Sequence, residues 1–148
     1  LAPAKETGLI EVATVEHFAR MQLQPMQREY QRILADAGYV RALVDAGCIA
    51  CVSSERVLGL GGLVDQGGGR AHAWAMLANN LGIGFVALHR AALRLLESSP
   101  YRRVEMVTLC DFSAAQRWAQ QLGFEPEAKL RAWFPSGAAG LLWSRVRV

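Results

Sequence analysis

The stretch Asn79-Asn80-Leu81-Gly82-Ile83-Gly84 sets two glycines one residue apart, between an apolar strand-like run and an amphipathic helix. Without a Cβ, Gly82 and Gly84 let the backbone take left-handed angles and bring its N–H groups close to an anion. The helix that follows adds the positive end of its dipole, so the segment has the geometry of a phosphate cradle with pyrophosphate as its natural guest. A glycine pair of this kind is also found in plain tight turns, and the flanking pattern has to distinguish the two.

That pattern is regular on both sides. Downstream, Phe85, Leu88, Ala92, Leu95 and Leu96 recur at helical spacing while Arg90, Arg94 and Glu97 fall opposite. Val104 to Cys110 then reads as a buried strand, parallel to the one before it because a helix of crossover length joins them. Ser113 to Gln116 has the form of a capping box, Ala115, Trp118, Ala119 and Leu122 share a face, and Gly123 ends that helix. Phe124 to Phe134 and Ala139 to Val148 form a closing hairpin around Pro135-Ser136-Gly137. Upstream, His72 to Leu77 is a strand, Gln66 to Gly69 a loop tip, and Cys48 to Ser53 with Val57 to Val64 a hairpin. The chain begins with a strand at Leu9 to Ala13, a helix capped by Thr14 that carries Phe18 and Met21, and a second helix opened by Pro25 and ended by Gly38. That second helix bears Met26, Tyr30, Ile33 and Leu34, and a shorter helical piece from Val40 to Ala46 stops at Gly47. The expected class is α+β, a mixed central sheet of about seven strands with helices on both faces, in the order β-α-α-β-β-β-α-β-α-β-β. At 148 residues and 52% apolar content, one domain over 1–148 is expected.

Composition narrows the partners. Sixteen basic against thirteen acidic residues leave a net charge of +3, too mild for a specific nucleic-acid partner. No apolar run approaches the roughly 18 residues of a membrane helix, and Leu1 to Lys5 lacks a signal-peptide pattern, so a cytoplasmic rather than secreted protein is expected. Cys48 and Cys51 have metal-ligand spacing, but Cys110 is the one cysteine left and His17, His72 and His89 are scattered. Buried reduced thiols are expected, and no metal.

The element order, the Asn79 to Gly84 loop and the Leu122-Gly123-Phe124 helix exit together resemble the GCN5-related N-acetyltransferase superfamily over almost the whole chain. The resemblance implies acetyl-coenzyme A as cofactor, with Asn79, Asn80, Leu81, Gly82, Ile83 and Gly84 as its pyrophosphate contacts and Asn79 at the family's Gln/Arg position. It further implies fourth and fifth strands that part, so that the pantetheine arm pairs with free strand edges. The acid of the family is commonly a Tyr at the position that Ala119 fills here; Trp118 beside it reads as packed core, and Asp111 as a turn or capping residue or a ligand contact. No glutamate lies on His72 to Leu77, which leaves His72 and Glu105 as candidate bases. An acceptor amine is expected near Met26, Tyr30 and Trp133.

A second resemblance accounts for the missing acid. Trp118, Ala119 and Leu122-Gly123-Phe124 are similar to small internal virion proteins of short-tailed, T7-like phages, degenerate versions of the same fold with no active site. This implies a non-catalytic virion or assembly protein, located in a virion or the bacterial cytoplasm, with protein partners or copies of itself. Trp133, Phe134, Trp143, Arg145 and Arg147 are then expected to form an aromatic, arginine-tipped contact surface. The alternative is an acyl-coenzyme A-dependent N-acetyltransferase acting on an amine.

Overall fold

A computed structural model describes residues 8–54 and 56–147. The Leu1 to Lys5 stretch, Glu55 and Val148 lie outside the described residues. Seven strands make one mixed sheet in the order β1-β2-β3-β4-β5-β7-β6. They are β1 (Leu9–Val12), β2 (Cys48–Val52), β3 (Val57–Gly67), β4 (Arg70–Leu77), β5 (Arg103–Leu109), β6 (Glu125–Leu130) and β7 (Gly140–Val146). Five α-helices join them: α1 (Val15–Arg20), α2 (Gln31–Leu34), α3 (Ala37–Ala46), α4 (Gly84–Ser98) and α5 (Ser113–Gln121). The β4–α4–β5 crossover gives a parallel pair, and β1–β2, β2–β3, β5–β7 and β6–β7 are antiparallel. The seven strands and their order along the chain are those the sequence leads one to expect.

The second helix differs from its expectation. Pro25 opens a 3-10 segment, Pro25–Tyr30, and Gln27 inside it has φ −107° and ψ 17°, which breaks any helix through Leu34. Gly38 does not end a helix. It lies in α3, which Asp36 caps by accepting from the Tyr39 N–H at 3.0 Å and Gly47 closes at φ +87°. Nor does the capping box of α5 form, because Gln116 Nε2 donates instead to the carbonyls of Cys110 at 2.6 Å and Leu109 at 3.3 Å.

The chain divides into two compact units. Of the described residues, one unit comprises those up to Gly62 together with Ala75–Ser98, the other Leu63–Trp74 with those from Ser99 onward. In the first, Phe18, Val40, Leu43, Leu58, Leu60, Met76, Leu88 and Leu96 are buried. Gly59 on β3 permits the approach of α4, since a Cβ there would stand 3.0 Å from Leu88 Cδ2 and from Leu77 Cδ2. In the second, β7 lies between β5 and β6, registered on one side from Arg103↔Val146 to Leu109↔Gly140. This central place buries Trp143 to 2% exposure, with its indole N–H donating to Thr108 Oγ1 at 3.0 Å. The expected contact surface is therefore corrected: Trp143 is core, Phe134 is half-buried, and Arg145 Nε donates to the Leu122 carbonyl at 3.1 Å, leaving Trp133 as the exposed aromatic of that set.

Candidate functional site

The Asn79 to Gly84 loop leaves β4 and enters α4 with Gly82 in the expected left-handed region, whereas Gly84 lacks the expected positive φ and begins the helix. Asn80 and Gly82 both take φ +54°, and a Cβ on Gly82 would meet nothing within 4 Å, so backbone angle and not crowding calls for glycine there. The first turn of α4 uses its own N–H groups: Gly84, Phe85 and Val86 donate to Leu81, Gly82 and Ile83 carbonyls at 3.0 to 3.2 Å. The N–H groups of Leu81, Gly82 and Ile83 find no acceptor among the described residues. These are the orphan donors that every helix start leaves, here on exposed or half-buried backbone.

Arg56 fixes how they point. The β2–β3 turn is closed by the Ser53 N–H on the Arg56 carbonyl at 2.9 Å and by the Arg56 N–H on Ser53 Oγ at 3.3 Å. From that turn the Arg56 guanidinium donates through Nη1 to the Asn79 carbonyl at 2.7 Å and through Nη2 to the Asn80 carbonyl at 2.6 Å. In a trans peptide the N–H lies opposite the C=O. Holding these two carbonyls therefore turns the N–H groups of Asn80 and Leu81 away from the guanidinium. Four successive donors, with no carboxylate among the loop residues, suit a doubly charged anion such as a diphosphate. The residues present fit the pyrophosphate of coenzyme A. Gly84 itself is buried at the start of α4, so its part is structural.

The end of β4 is dressed from the 3-10 segment of the same unit. The Ala78 N–H turns to the Leu58 carbonyl on β3 at 2.9 Å, and because backbone groups alternate along a strand, Ala75 and Leu77 point from the opposite edge. There Gln27 Nε2 donates to the Ala75 carbonyl at 2.8 Å and Gln27 Oε1 accepts from the Leu77 N–H at 2.6 Å. The Gln24 N–H donates to the Leu77 carbonyl at 2.9 Å. No local signal reveals this contact, which spans about fifty positions of sequence.

In the other unit, the β4–β5 ladder runs from Arg70↔Arg103 to His72↔Glu105 and ends there, while β5 continues to Leu109 in register with β7. The two candidate bases thus face each other as ladder partners. Burial pulls the His72 pKa below its ordinary 6.5, with the Glu105 carboxylate opposing, so the imidazole is neutral at pH 7. Glu105 is already engaged: its Oε1 accepts from Arg103 Nε at 2.7 Å. Arg103 also forks onto Glu127 at 2.8 and 2.6 Å, and Glu127 Oε1 accepts from Ser144 Oγ at 2.6 Å. These bonds hold the Glu127 pKa down to about 2 and push that of Arg103 up. Glu105 is therefore part of a charge network, which leaves His72 the freer proton acceptor.

The remaining positions offer little chemistry. Ala119 is fully buried, and its carbonyl accepts from the Phe124 N–H at 3.0 Å. Asp111 is an exposed turn residue. Burial raises the thiol pKa of Cys48 and Cys51, and no group of three or more metal-ligating side chains occurs among the described residues. Burial likewise raises the Tyr30 phenol, the second contributor being Tyr39. No helix among the described residues is long and apolar enough to cross a membrane.

No protein-family model matches the sequence, and no curated protein matches it either. Solved structures do match the fold. Ard1 from Thermoplasma volcanium superposes with a TM-score of 0.72 at 16% identity, covering 96% of this chain and 99% of its own. An IAA acetyltransferase from Bacillus cereus gives 0.68 at 14%, covering 95% and 100%. A Bacillus subtilis acetyltransferase in complex with CoA gives 0.65 at 11%, covering 96% and 100%. The mixed seven-stranded sheet is the fold of the GCN5-related N-acetyltransferases.

Proposed function

We propose that this chain, folded as these acetyltransferases are, binds acyl-coenzyme A through Asn80 to Ile83 and transfers the acyl group to an amine. The observation that carries the reading is the run of unpaired N–H groups at Leu81, Gly82 and Ile83, with the carbonyls of Asn79 and Asn80 drawn off by Arg56. An anion bound there gains charge-assisted hydrogen bonds and the α4 dipole. Coenzyme A, when bound, supplies the thioester whose acyl group is transferred.

For the rest of the chemistry, His72 is the more suitable of the two candidate bases, since Glu105 is engaged by Arg103. An ammonium acceptor must lose a proton before it attacks, and His72, neutral at pH 7, takes that proton at a ring nitrogen. Ala119 offers no proton to a leaving thiolate, and water would have to supply it. The neighbouring structures include acetyltransferases from Bacillus cereus and Bacillus subtilis, which favours this reading over the virion scaffold expected from the second resemblance.

Calorimetry with coenzyme A and a thiol-release assay across a panel of amines test the proposal. Micromolar affinity, roughly 8 kcal/mol at standard state, is expected for the wild type. His72→Ala should lower kcat by about 100-fold or more while KM for the thioester stays within about twofold. In the wild type the acid limb of kcat should lie below pH 6.5, because burial lowers the His72 pKa. Absence of coenzyme A binding at millimolar concentration sinks the reading.

A further inference from the structure

The Ala75–Leu77 edge of β4 presents an acceptor and a donor two residues apart, and one side-chain carboxamide satisfies both. A strand edge offers that pair to any partner with an amide in the strand direction, as a neighbouring strand would. Gln27 is not held there by a helix. Its own backbone departs from helical angles within the 3-10 segment, and the further side-chain support is Gln24 Nε2, donating to Gln27 Oε1 at 3.2 Å. Its carboxamide is only partly buried, so its release exposes two backbone groups to water or to a ligand without dismantling a core.

The geometry points to Gln27 as a specificity-determining residue: its carboxamide stands in for a ligand's secondary amide on the β4 edge and must be displaced by it. This rests on the acyl-coenzyme A reading, since the amide-bearing arm of that cofactor is the ligand with matching chemistry. A ligand with an anionic head but no amide arm can fill the Asn80 to Ile83 amides and leave Gln27 in place. One with the arm recovers both hydrogen bonds and frees Gln27 to solvent. The cost of displacing Gln27 lowers affinity for arm-bearing ligands alone, as any equilibrium with a closed state lowers the apparent affinity.

The test compares wild type with Gln27→Met, which keeps length and apolar bulk but can neither donate nor accept in this way. Coenzyme A and its armless adenosine bisphosphate half serve as probes, titrated by calorimetry. Gln27→Met should bind coenzyme A about three- to tenfold more tightly and the bisphosphate with unchanged affinity. In the wild type, the Gln27 side-chain amide resonances should move on adding coenzyme A and stay put with the bisphosphate. Equal or weaker coenzyme A binding by Gln27→Met overturns the inference and leaves the cofactor reading intact. Binding by neither protein removes that reading and this one together. If Gln27→Met does not fold, the side-chain resonances decide: unmoved resonances in a coenzyme A-saturated wild type overturn the inference.

Discussion

Two glycine turns in this chain look alike in sequence and differ in the element that follows them. At the β3–β4 tip, Gly67, Gly68 and Gly69 take φ of +80°, +64° and +79°, and the Gly67 N–H donates to Asp65 Oδ1 at 2.7 Å. The Gly69 carbonyl accepts from the Arg102 N–H at 2.9 Å, and Arg102 Nη2 donates to the Gly68 carbonyl at 2.8 Å. At the β4–α4 loop, a guanidinium again takes carbonyls, those of Asn79 and Asn80, but the donors of Leu81, Gly82 and Ile83 stay open. Both turns therefore have left-handed glycines and an arginine clamp. The difference is that only the second is followed by a helix, whose first turn withdraws the carbonyls inward and presents the N–H groups outward. Glycine content marks a turn, whereas donors gathered at the start of a long helix mark a candidate site.

The contrast is broken most forcefully by matched valines. Gly82→Val and Gly68→Val meet no atom within 4 Å of the added Cβ, and each forces a β-branched residue into the left-handed region. Each should lose about 1–2 kcal/mol of stability by denaturant unfolding. Gly82→Val should also weaken coenzyme A by about 100-fold, the worth of two bonds to a charged ligand, while Gly68→Val leaves affinity unchanged. Equal affinities in the two variants would show that the loop is a turn like the other.

Arginine removal sharpens the same comparison at a smaller scale. Arg56→Ala should cost about tenfold in coenzyme A affinity by freeing the Asn79 and Asn80 peptide planes, and Arg102→Ala should lower the melting temperature by a few degrees with affinity intact. A loss of affinity in both, or in neither, removes the distinction.

The smallest effect concerns the unit that holds the β3–β4 turn. Glu127 has its pKa lowered from 4.5 to about 2 by Arg103 and Ser144. A carboxylate with a depressed folded pKa contributes stability that is present above about pH 4.5 and is lost as the pH falls toward 2. Glu127→Gln should flatten that part of the acid-unfolding curve, measured by circular dichroism, and leave coenzyme A binding at neutral pH unchanged. An identical acid limb in wild type and variant would show that the pair contributes nothing in solution.

How much of this was readable beforehand depends on the range of the interaction. The α4 stripe of Leu88 and Leu96, the Gly82 turn and the order of the strands follow from local periodicity and backbone angles, and all three stand in the structure. Gln27 does not, because a glutamine in a polar run carries no sign of the strand edge it will meet. Trp143 and Arg145 were misread for a related reason: alternation shows which faces a strand has, but not that β7 will lie between β5 and β6 and so bury one of them. Glu105 was a candidate base as a carboxylate on the strand next to His72 to Leu77. Its neighbour two positions back, Arg103, claims it on the same face of the strand. Pro25 announced a helix start, and the break at Gln27 came without a glycine or a second proline to mark it.

β6 ends one side of the sheet with every residue but Leu130 open to solvent. Its sequence Glu125-Pro126-Glu127-Ala128-Lys129-Leu130 places an imino acid with no proton to give and a lysine along the outer border, and its pairing with β7 slips between Pro126 and Ala128. A foreign strand arriving there meets an interrupted, charged fringe and finds no continuous row to zip onto, which guards this border against runaway fibre growth during expression and concentration.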